Sequence, residues 1–474
     1  MTKTYANLIG GEMITTDNTL DVVNPATEEV IGQVPACGKD ELDRAVSAAR
    51  EAFKTWRRTS REERQNVVLA ISNAIKENAD ELFRLLTSEQ GKPHQQAQQE
   101  IYGAAGAAKM QSSLTLDDVI NQDDDTRLSR TRRVPVGVVG GIVPWNFPVM
   151  MAMQKIVPAL ISGCTIVLKP SPFTPLTTLR IAELIKDVVP AGTVNIITGE
   201  DSLGPLITEH PDIDKITFTG STATGKKIME SASADLKRIT LELGGNDASI
   251  VLPDADVEKV AEQLFWSSFA NAGQVCIAAK RIYIHEDIYD DLSKAIADYA
   301  SQVKVGDGSH QGTGVGPIQN KKQFERVCEL IQDAKDQGYK FLTGGDTDPS
   351  GTGYYVPITI LDNPPEDARI VAEEQFGPVM PLMKFASIDE AIERANNSEY
   401  GLAGAVWSKD TDKAVEIAEQ LETGTVWVNE YMHLSPLAPF GGHKQSGFGA
   451  EYGIEGLKEF TYPQVITVKR DAVV

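Results

Sequence analysis

The chain has 474 residues, too many for one ordinary core, so a few domains are expected. Its 45 Lys and Arg against 67 Asp and Glu give a net charge of −22, which repels phosphate backbones and anionic lipid and argues against nucleic-acid or membrane partners. No apolar run approaches the roughly 18 residues that span a bilayer, and the first residues lack the basic-then-apolar pattern of a secretion signal, so a cytoplasmic location is expected.

In chain order, Asp40 to Phe53 and Glu62 to Ser88 carry apolar residues at helical spacing among many charges, which predicts amphipathic helices. From Asp117 to Arg133 the character changes. The acidic run Asp123-Asp124-Asp125 precedes four closely spaced arginines, and the stretch reads as an exposed excursion whose plain reading is a solvated loop. From Val136 onward, short apolar runs alternate with helical segments: Val136 to Val143, Thr165 to Leu168, Thr193 to Ile197, Lys215 to Phe218 and Arg238 to Leu243. The fold class this predicts is α/β, a Rossmann-like parallel sheet covered by helices, which binds nucleotides at the C-terminal ends of its strands. The usual G-x-G-x-x-G fingerprint is missing. In its place the run Gly220-Ser221-Thr222-Ala223-Thr224-Gly225 follows a strand and opens a helix, either as a phosphate cradle or as a plain turn.

Three local patterns suit chemistry. In Pro144-Trp145-Asn146-Phe147-Pro148, two prolines hold an amide in a rigid turn, although the aromatics could simply pack. In Leu241-Glu242-Leu243-Gly244-Gly245-Asn246, a carboxylate lies between leucines, where it is either paired or pushed up in pKa to suit a general base. In Asn271-Ala272-Gly273-Gln274-Val275-Cys276, a cysteine follows the helix-like run Val257 to Phe269, as a nucleophile or as an inert small hydrophobe. The four cysteines and six histidines are otherwise scattered, with neither a disulfide framework nor a zinc pattern, so no metal is expected.

The order and spacing of these motifs resemble those of the aldehyde dehydrogenase superfamily. Further matching segments are Leu168-Lys169-Pro170-Ser171, Glu373-Glu374-Gln375-Phe376-Gly377-Pro378, and Pro439-Phe440-Gly441-Gly442-His443-Lys444-Gln445-Ser446-Gly447, so the resemblance covers almost the whole chain. It implies a non-acylating, NAD(P)-dependent oxidation of an aldehyde to a carboxylic acid. Cys276 would be the nucleophile, forming first a thiohemiacetal and then a thioester. Asn146 would donate to the oxyanion, Glu242 would activate the hydrolytic water, and Lys155 would take part in proton relay unless it is a plain surface cation. A CoA-acylating relative would lack the hydrolytic glutamate, and a catalytically silent binding or structural relative would tolerate loss of Cys276, Asn146 or Glu242; all three are present.

For the cofactor, NAD or NADP, the resemblance implies Lys169 and Ser171 near the adenosine ribose and Gly204, Phe218, Gly220 and Ser221 near the adenine and pyrophosphate. Trp145, Glu242, Leu243, Gly244, Glu374 and Phe376 would line the nicotinamide side. Pro172 departs from the pattern: many NAD-preferring members have a glutamate there, and its loss removes repulsion against a 2′-phosphate. The aldehyde tunnel would be lined by Phe147, Met151, Gln154, Phe269, Val275, Ile277, Leu434 and Phe440. Their mostly apolar character favours a neutral, medium-sized aliphatic or aromatic aldehyde, with a semialdehyde as the alternative. The resemblance implies an NAD(P)-binding domain in residues 1–116 and 136–242, a catalytic domain in 243–445, and a β oligomerisation flap in 117–135 and 446–474. A homodimer or homotetramer follows from the flap.

Overall fold

The computed structural model describes residues 3–470, so residues 1–2 and 471–474, at the ends of the expected cofactor-domain and flap ranges, lie outside the described residues. Its first sheet has eight strands, in the order Glu12–Ile14, Asn7–Ile9, Val194–Ile196, Thr165–Lys169, Val138–Ile142, Lys215–Thr219, Arg238–Glu242 and Gly447–Phe448. The strands from Val194–Ile196 through Arg238–Glu242 run parallel. In chain order this core reads third, second, first, fourth, fifth. The strand order therefore reverses between Val138–Ile142 and Lys215–Thr219, and a doubly wound sheet binds its ligand at such a reversal.

The alternation of side chains along each strand builds two cores, one on each face. Val139, Ile166 and Leu168 pack with the helices Arg61–Glu77, His94–Ser112, Pro148–Ser162 and Leu176–Ile185. Val138, Val167 and Ile216 pack with Lys39–Trp56, Leu203–Glu209 and Thr222–Ala232. The single helical stretch expected over Glu62 to Ser88 is instead two helices, Arg61–Glu77 and Ala79–Gln90. They break at Asn78, whose side-chain amide turns back to donate to the Ala74 carbonyl (2.8 Å), so the local side-chain bond ends the first helix.

A second sheet of seven strands runs Lys340–Thr343, Thr359–Asp362, Val379–Phe385, Ala279–His285, Asp247–Val251, Ala403–Trp407 and Thr425–Val428, all parallel except the first pair. It carries the largest core. The charged excursion is an ordered hairpin rather than a loop: Val119–Asp123 pairs antiparallel with Arg127–Pro135. Asp124 closes its turn by accepting the Thr126 and Arg127 N–H groups (2.8 and 2.9 Å). The strand Thr461–Lys469 completes this three-stranded arm. Within the range 446–474, however, Gly447–Phe448 extends the first sheet and Leu457 and Phe460 enter its core, so only the final strand lies in the arm. Among the described residues, no helix is long and apolar enough to cross a membrane.

Candidate active site

The turn after Val138–Ile142 stands at the strand-order reversal. It leads into the helix Pro148–Ser162, whose first residue is a proline. Asn146 is buried there. Its amide Nδ2 donates to the Gln274 carbonyl (3.0 Å), while its own carbonyl accepts from Asn271 Nδ2 (3.0 Å) and Lys92 Nζ (2.9 Å). An amide nitrogen has two hydrogens, so one remains for a ligand oxygen.

Cys276 reaches the same place from the second sheet. The helix Val257–Phe269, capped by Asp256 as its acceptor for the Lys259 N–H, occupies the span expected from the sequence. After it Asn271, Ala272 and Gly273 all have positive φ (52°, 55° and 69°), a reversal that returns the chain toward the Asn146 turn. Two of these residues carry side chains, so the strain there is held by partners: Gln274 Nε2 donates to the Asn271 carbonyl (2.8 Å) and Gln96 Oε1 accepts the Asn271 N–H (2.8 Å). Cys276 is partly buried and its thiol is pushed up, first by burial and then by the carboxylates of Asp247, Glu374 and Glu242. A thiol so placed is protonated at neutral pH until a base or a ligand changes its surroundings.

Glu242 ends the strand Arg238–Glu242. It is 4% exposed, and neither carboxylate oxygen has a partner among the described residues. Burial pushes its pKa well up, the Glu451 carboxylate adds to this, and the Lys155 ammonium opposes it. Lys155 is no surface cation. Fully buried, it donates to Thr219 Oγ1 (2.7 Å) and pairs with the Glu451 carboxylate. Sequence reading missed Glu451, which nothing in the run Gly449-Ala450-Glu451 marks; a mutual backbone pairing with Phe440 (2.8 and 2.7 Å) brings it in.

The cofactor candidates line the C-terminal edge of the first sheet. Lys169 ends the strand Thr165–Lys169; it is buried, and its ammonium has no hydrogen-bond or ion-pair partner among the described residues. Burial lowers its pKa to about 8, with Asp201 opposing. A buried cation without a partner suits a ligand that brings oxygen atoms, and the residues around it fit a dinucleotide. Ser171 Oγ accepts the Phe173 N–H (3.3 Å), and Thr174 Oγ1 donates to the Trp145 carbonyl (3.3 Å), tying the Pro172 loop to the Asn146 turn. Gly220 donates its N–H to the Glu242 carbonyl (3.0 Å), and a Cβ on it would strike the Phe218 ring. Ser221 caps the helix Thr222–Ala232 by accepting the Thr224 N–H. Leu243 packs on that helix, where a Cβ at Gly225 would lie 2.6 Å from it. Gly244 leaves room for Glu374, whose Oε2 a Cβ would approach to 2.5 Å. Glu374 accepts the Gly245 N–H (3.1 Å), and burial raises its pKa to about 7 against the Lys280 charge. Trp145 and Phe376 meet edge to face at 5.4 Å. Gly204 has open space about it and shows no close approach.

Of the tunnel candidates, Phe269, Val275, Ile277 and Phe440 are buried in the core of the seven-stranded sheet, with Phe147 and Leu434 packed partly buried against it. Met151 packs against the first core instead. Gln154 is buried with its side-chain oxygen unpartnered. No cluster of three His, Cys, Asp or Glu that could hold a metal occurs among the described residues.

A doubly wound sheet with a cysteine, a buried amide and a buried carboxylate brought near its strand-order reversal fits a dinucleotide-binding enzyme. The chain belongs to the aldehyde dehydrogenase family, whose model matches residues 13–466, and so to the NAD(P)-dependent aldehyde-oxidising enzymes. It is 42% identical to a probable aldehyde dehydrogenase of a Pseudomonas species, over 98% of this chain and 95% of the relative. With the phenylacetaldehyde dehydrogenase of Pseudomonas fluorescens it shares 39% identity, over 97% and 95% of the two chains. It superposes on the NAD+ complex of an aldehyde dehydrogenase from Bacillus cereus with a TM-score of 0.96 and 38% identity, covering 98% of this chain and 96% of that one.

Proposed function

We propose that the enzyme oxidises a neutral, medium-sized aliphatic or aromatic aldehyde to its carboxylic acid through a thioester on Cys276. The observation that carries this reading is Glu242, a buried carboxyl with no partner, raised in pKa and close enough to the thiol for its charge to be felt there. Cys276 Sγ adds to the aldehyde carbon once its proton has left. The oxyanion that forms takes the free hydrogen of the Asn146 amide and the Cys276 backbone N–H, and such donors contribute about 3 kcal/mol or more to the transition state. Lys169, Gly220, Ser221 and Glu374 would hold NAD(P)+, which supplies the hydride acceptor that brings the carbon to the acyl level. Glu242 then takes a proton from water as its oxygen attacks the thioester; the C–S bond breaks, the acid departs, and the sulfur leaves as thiolate, which takes a proton from solvent to restore the thiol. Lys155 and Glu451, whose charges act on Glu242, carry the proton taken by Glu242 onward.

The apolar wall of Phe147, Val275, Ile277, Leu434 and Phe440 supports a neutral substrate, and the relative named phenylacetaldehyde dehydrogenase supports an aryl one. Gln154 brings no cation for the carboxylate of a semialdehyde. Pro172 leaves the ribose 2′ position without a repelling carboxylate, so NADP is used beside NAD. Exposed Val119, Ile120, Val465 and Val468 on the arm support assembly into a dimer or tetramer, and four free cysteines suit a reducing cytoplasm. Reduced-cofactor absorbance with NAD or NADP, against acetaldehyde, hexanal, benzaldehyde, phenylacetaldehyde and succinate semialdehyde, tests the reading in wild type and Cys276→Ala. Turnover of a neutral aldehyde lost in Cys276→Ala is expected; turnover that survives the substitution would overturn the mechanism.

A further inference from the structure

Beneath the Asn146 turn lies a second buried ion pair that the reaction does not use. Lys92 and Glu100 both have fully buried side chains, with Lys92 Nζ 2.5 Å from Glu100 Oε2. Burying two charges costs more than packing apolar side chains of the same volume, so such a pair is a poor device for stability alone. Its other contacts are specific. Lys92 Nζ donates to the Asn146 carbonyl (2.9 Å) and stands 3.8 Å above the centre of the Phe147 ring. Glu100 Oε1 accepts the N–H groups of Val149 and Met150 (3.0 and 3.2 Å), which open the helix Pro148–Ser162 and have no acceptor within it. Lys92 is itself fixed, its backbone N–H donating to Gln90 Oε1 (3.0 Å). The pair thus grips the turn on both sides of Asn146: the peptide after it through Lys92, and the start of the next helix through Glu100.

We infer that Lys92 and Glu100 are positioning residues for the oxyanion donor, setting the peptide plane and helix start that aim the Asn146 amide. This rests on the proposed role of Asn146. With the Asn146–Phe147 peptide held by Lys92 and Asn271, the only freedom left to the side chain is its own torsions, and the Gln274 carbonyl takes one of its hydrogens. The second hydrogen then points one way. Removing the grip leaves the amide present but loosely aimed, and a misplacement of about 1 Å can cost up to a hundredfold in rate.

The test is the paired variant Lys92→Met with Glu100→Gln, which removes both charges together and leaves no buried ion alone. Lys92→Gln with Glu100→Gln, which leaves no buried ion and keeps an oxygen to accept from Val149 and Met150, is the milder second variant. Steady-state kinetics are measured in wild-type, Asn146→Ala and combined backgrounds. We expect kcat of the paired variant to fall about tenfold or more with little change in KM for cofactor. The rate of Cys276 alkylation by iodoacetamide, which needs no oxyanion hole, stays at the wild-type value. In the Asn146→Ala background, adding the paired change lowers kcat less than about twofold, because the group being aimed is gone. An unchanged kcat in the folded paired variant, or the same proportional loss with and without Asn146, would overturn the inference. Failure of the underlying reading looks different: Asn146→Ala would then retain wild-type turnover by itself.

Discussion

Asn146 follows a strand of the first sheet and Glu242 ends one, and both are buried near the turn that carries Cys276, yet the protein treats them in opposite ways. Four contacts fix the Asn146 amide and its backbone carbonyl: Gln274, Asn271, Lys92 and, through the helix start, Glu100. Glu242 has none on its carboxylate. A preorganised dipole loses its value if it must turn to meet the charge it stabilises, so a donor is best immobile. A base must exchange protons with water and with a relay. A carboxylate pinned by N–H donors would be held ionised and acidic, whereas burial without partners raises the Glu242 pKa and so its basicity. Fixing one group and leaving the other free is what the two proposed jobs require.

Glu242→Gln breaks the free half of this comparison and has the largest expected effect. Steady-state turnover falls by about 10² to 10⁴ fold, the usual worth of a placed general base. If Glu242 serves hydrolysis, rapid mixing shows a burst of reduced cofactor near one equivalent per Cys276 followed by a stall, with the acyl group trapped on the thiol. Asn146→Ala breaks the fixed half, with kcat lower by about 10² to 10³ fold. Its signature is the reverse: the burst itself slows, because thiohemiacetal formation is the impaired step. A full, fast burst in Asn146→Ala would show that the amide does not hold the first oxyanion.

How far each half was legible in the sequence follows the same division. The Asn146 turn is written locally, between two prolines and after an apolar strand, and so is the run Asn271 to Cys276. The alternation of short, largely apolar or β-branched runs with helical segments carried the five parallel strands, most of which are buried on both faces as a sheet covered on both sides requires. The supports were not legible. Lys92 lies 54 residues from the turn it grips, and Glu451 lies 296 residues from Lys155. Lys92 and Glu451 lie in short connections outside the helices, where a lone charged side chain reads as solvated, and only folding shows which of them are buried and paired. The hairpin at 119–135 was obscured for a related reason: its first strand is exposed along its whole length, its second is nowhere fully buried, and neither carries an alternating apolar pattern.

Lys155→Met sharpens the account of Glu242. The Lys155 charge holds the Glu242 pKa down against burial and the Glu451 carboxylate, so removing it moves that pKa further up. The general base is then ionised over a higher range, and the basic shift appears as a hydrolytic limb displaced to higher pH. At pH 7 the steady-state rate falls about tenfold, and part of the loss returns on raising the pH. A uniform loss at every pH would assign Lys155 to structure rather than to the relay.

Glu374 gives the smallest and most graded test, because it lies between the two extremes. It is buried like Glu242 but keeps one partner, the Gly245 N–H, and its pKa is raised from the ordinary carboxylate value to about 7. Its task in the proposed site is to accept hydrogen bonds from ribose hydroxyls, and the ionised form accepts better than the acid. Above pH 7 the carboxylate is present and cofactor binds tightest; as pH falls through 7 it takes a proton, one oxygen becomes a donor, and affinity drops. Fluorescence titration of the wild type with NAD should show Kd rising about three- to tenfold between pH 8 and pH 6, the range a single titrating group covers. Glu374→Gln should bind at the weaker level throughout, with that pH dependence gone. If the variant keeps the wild-type inflection, some other group titrates, and Glu374 does not meet the ribose.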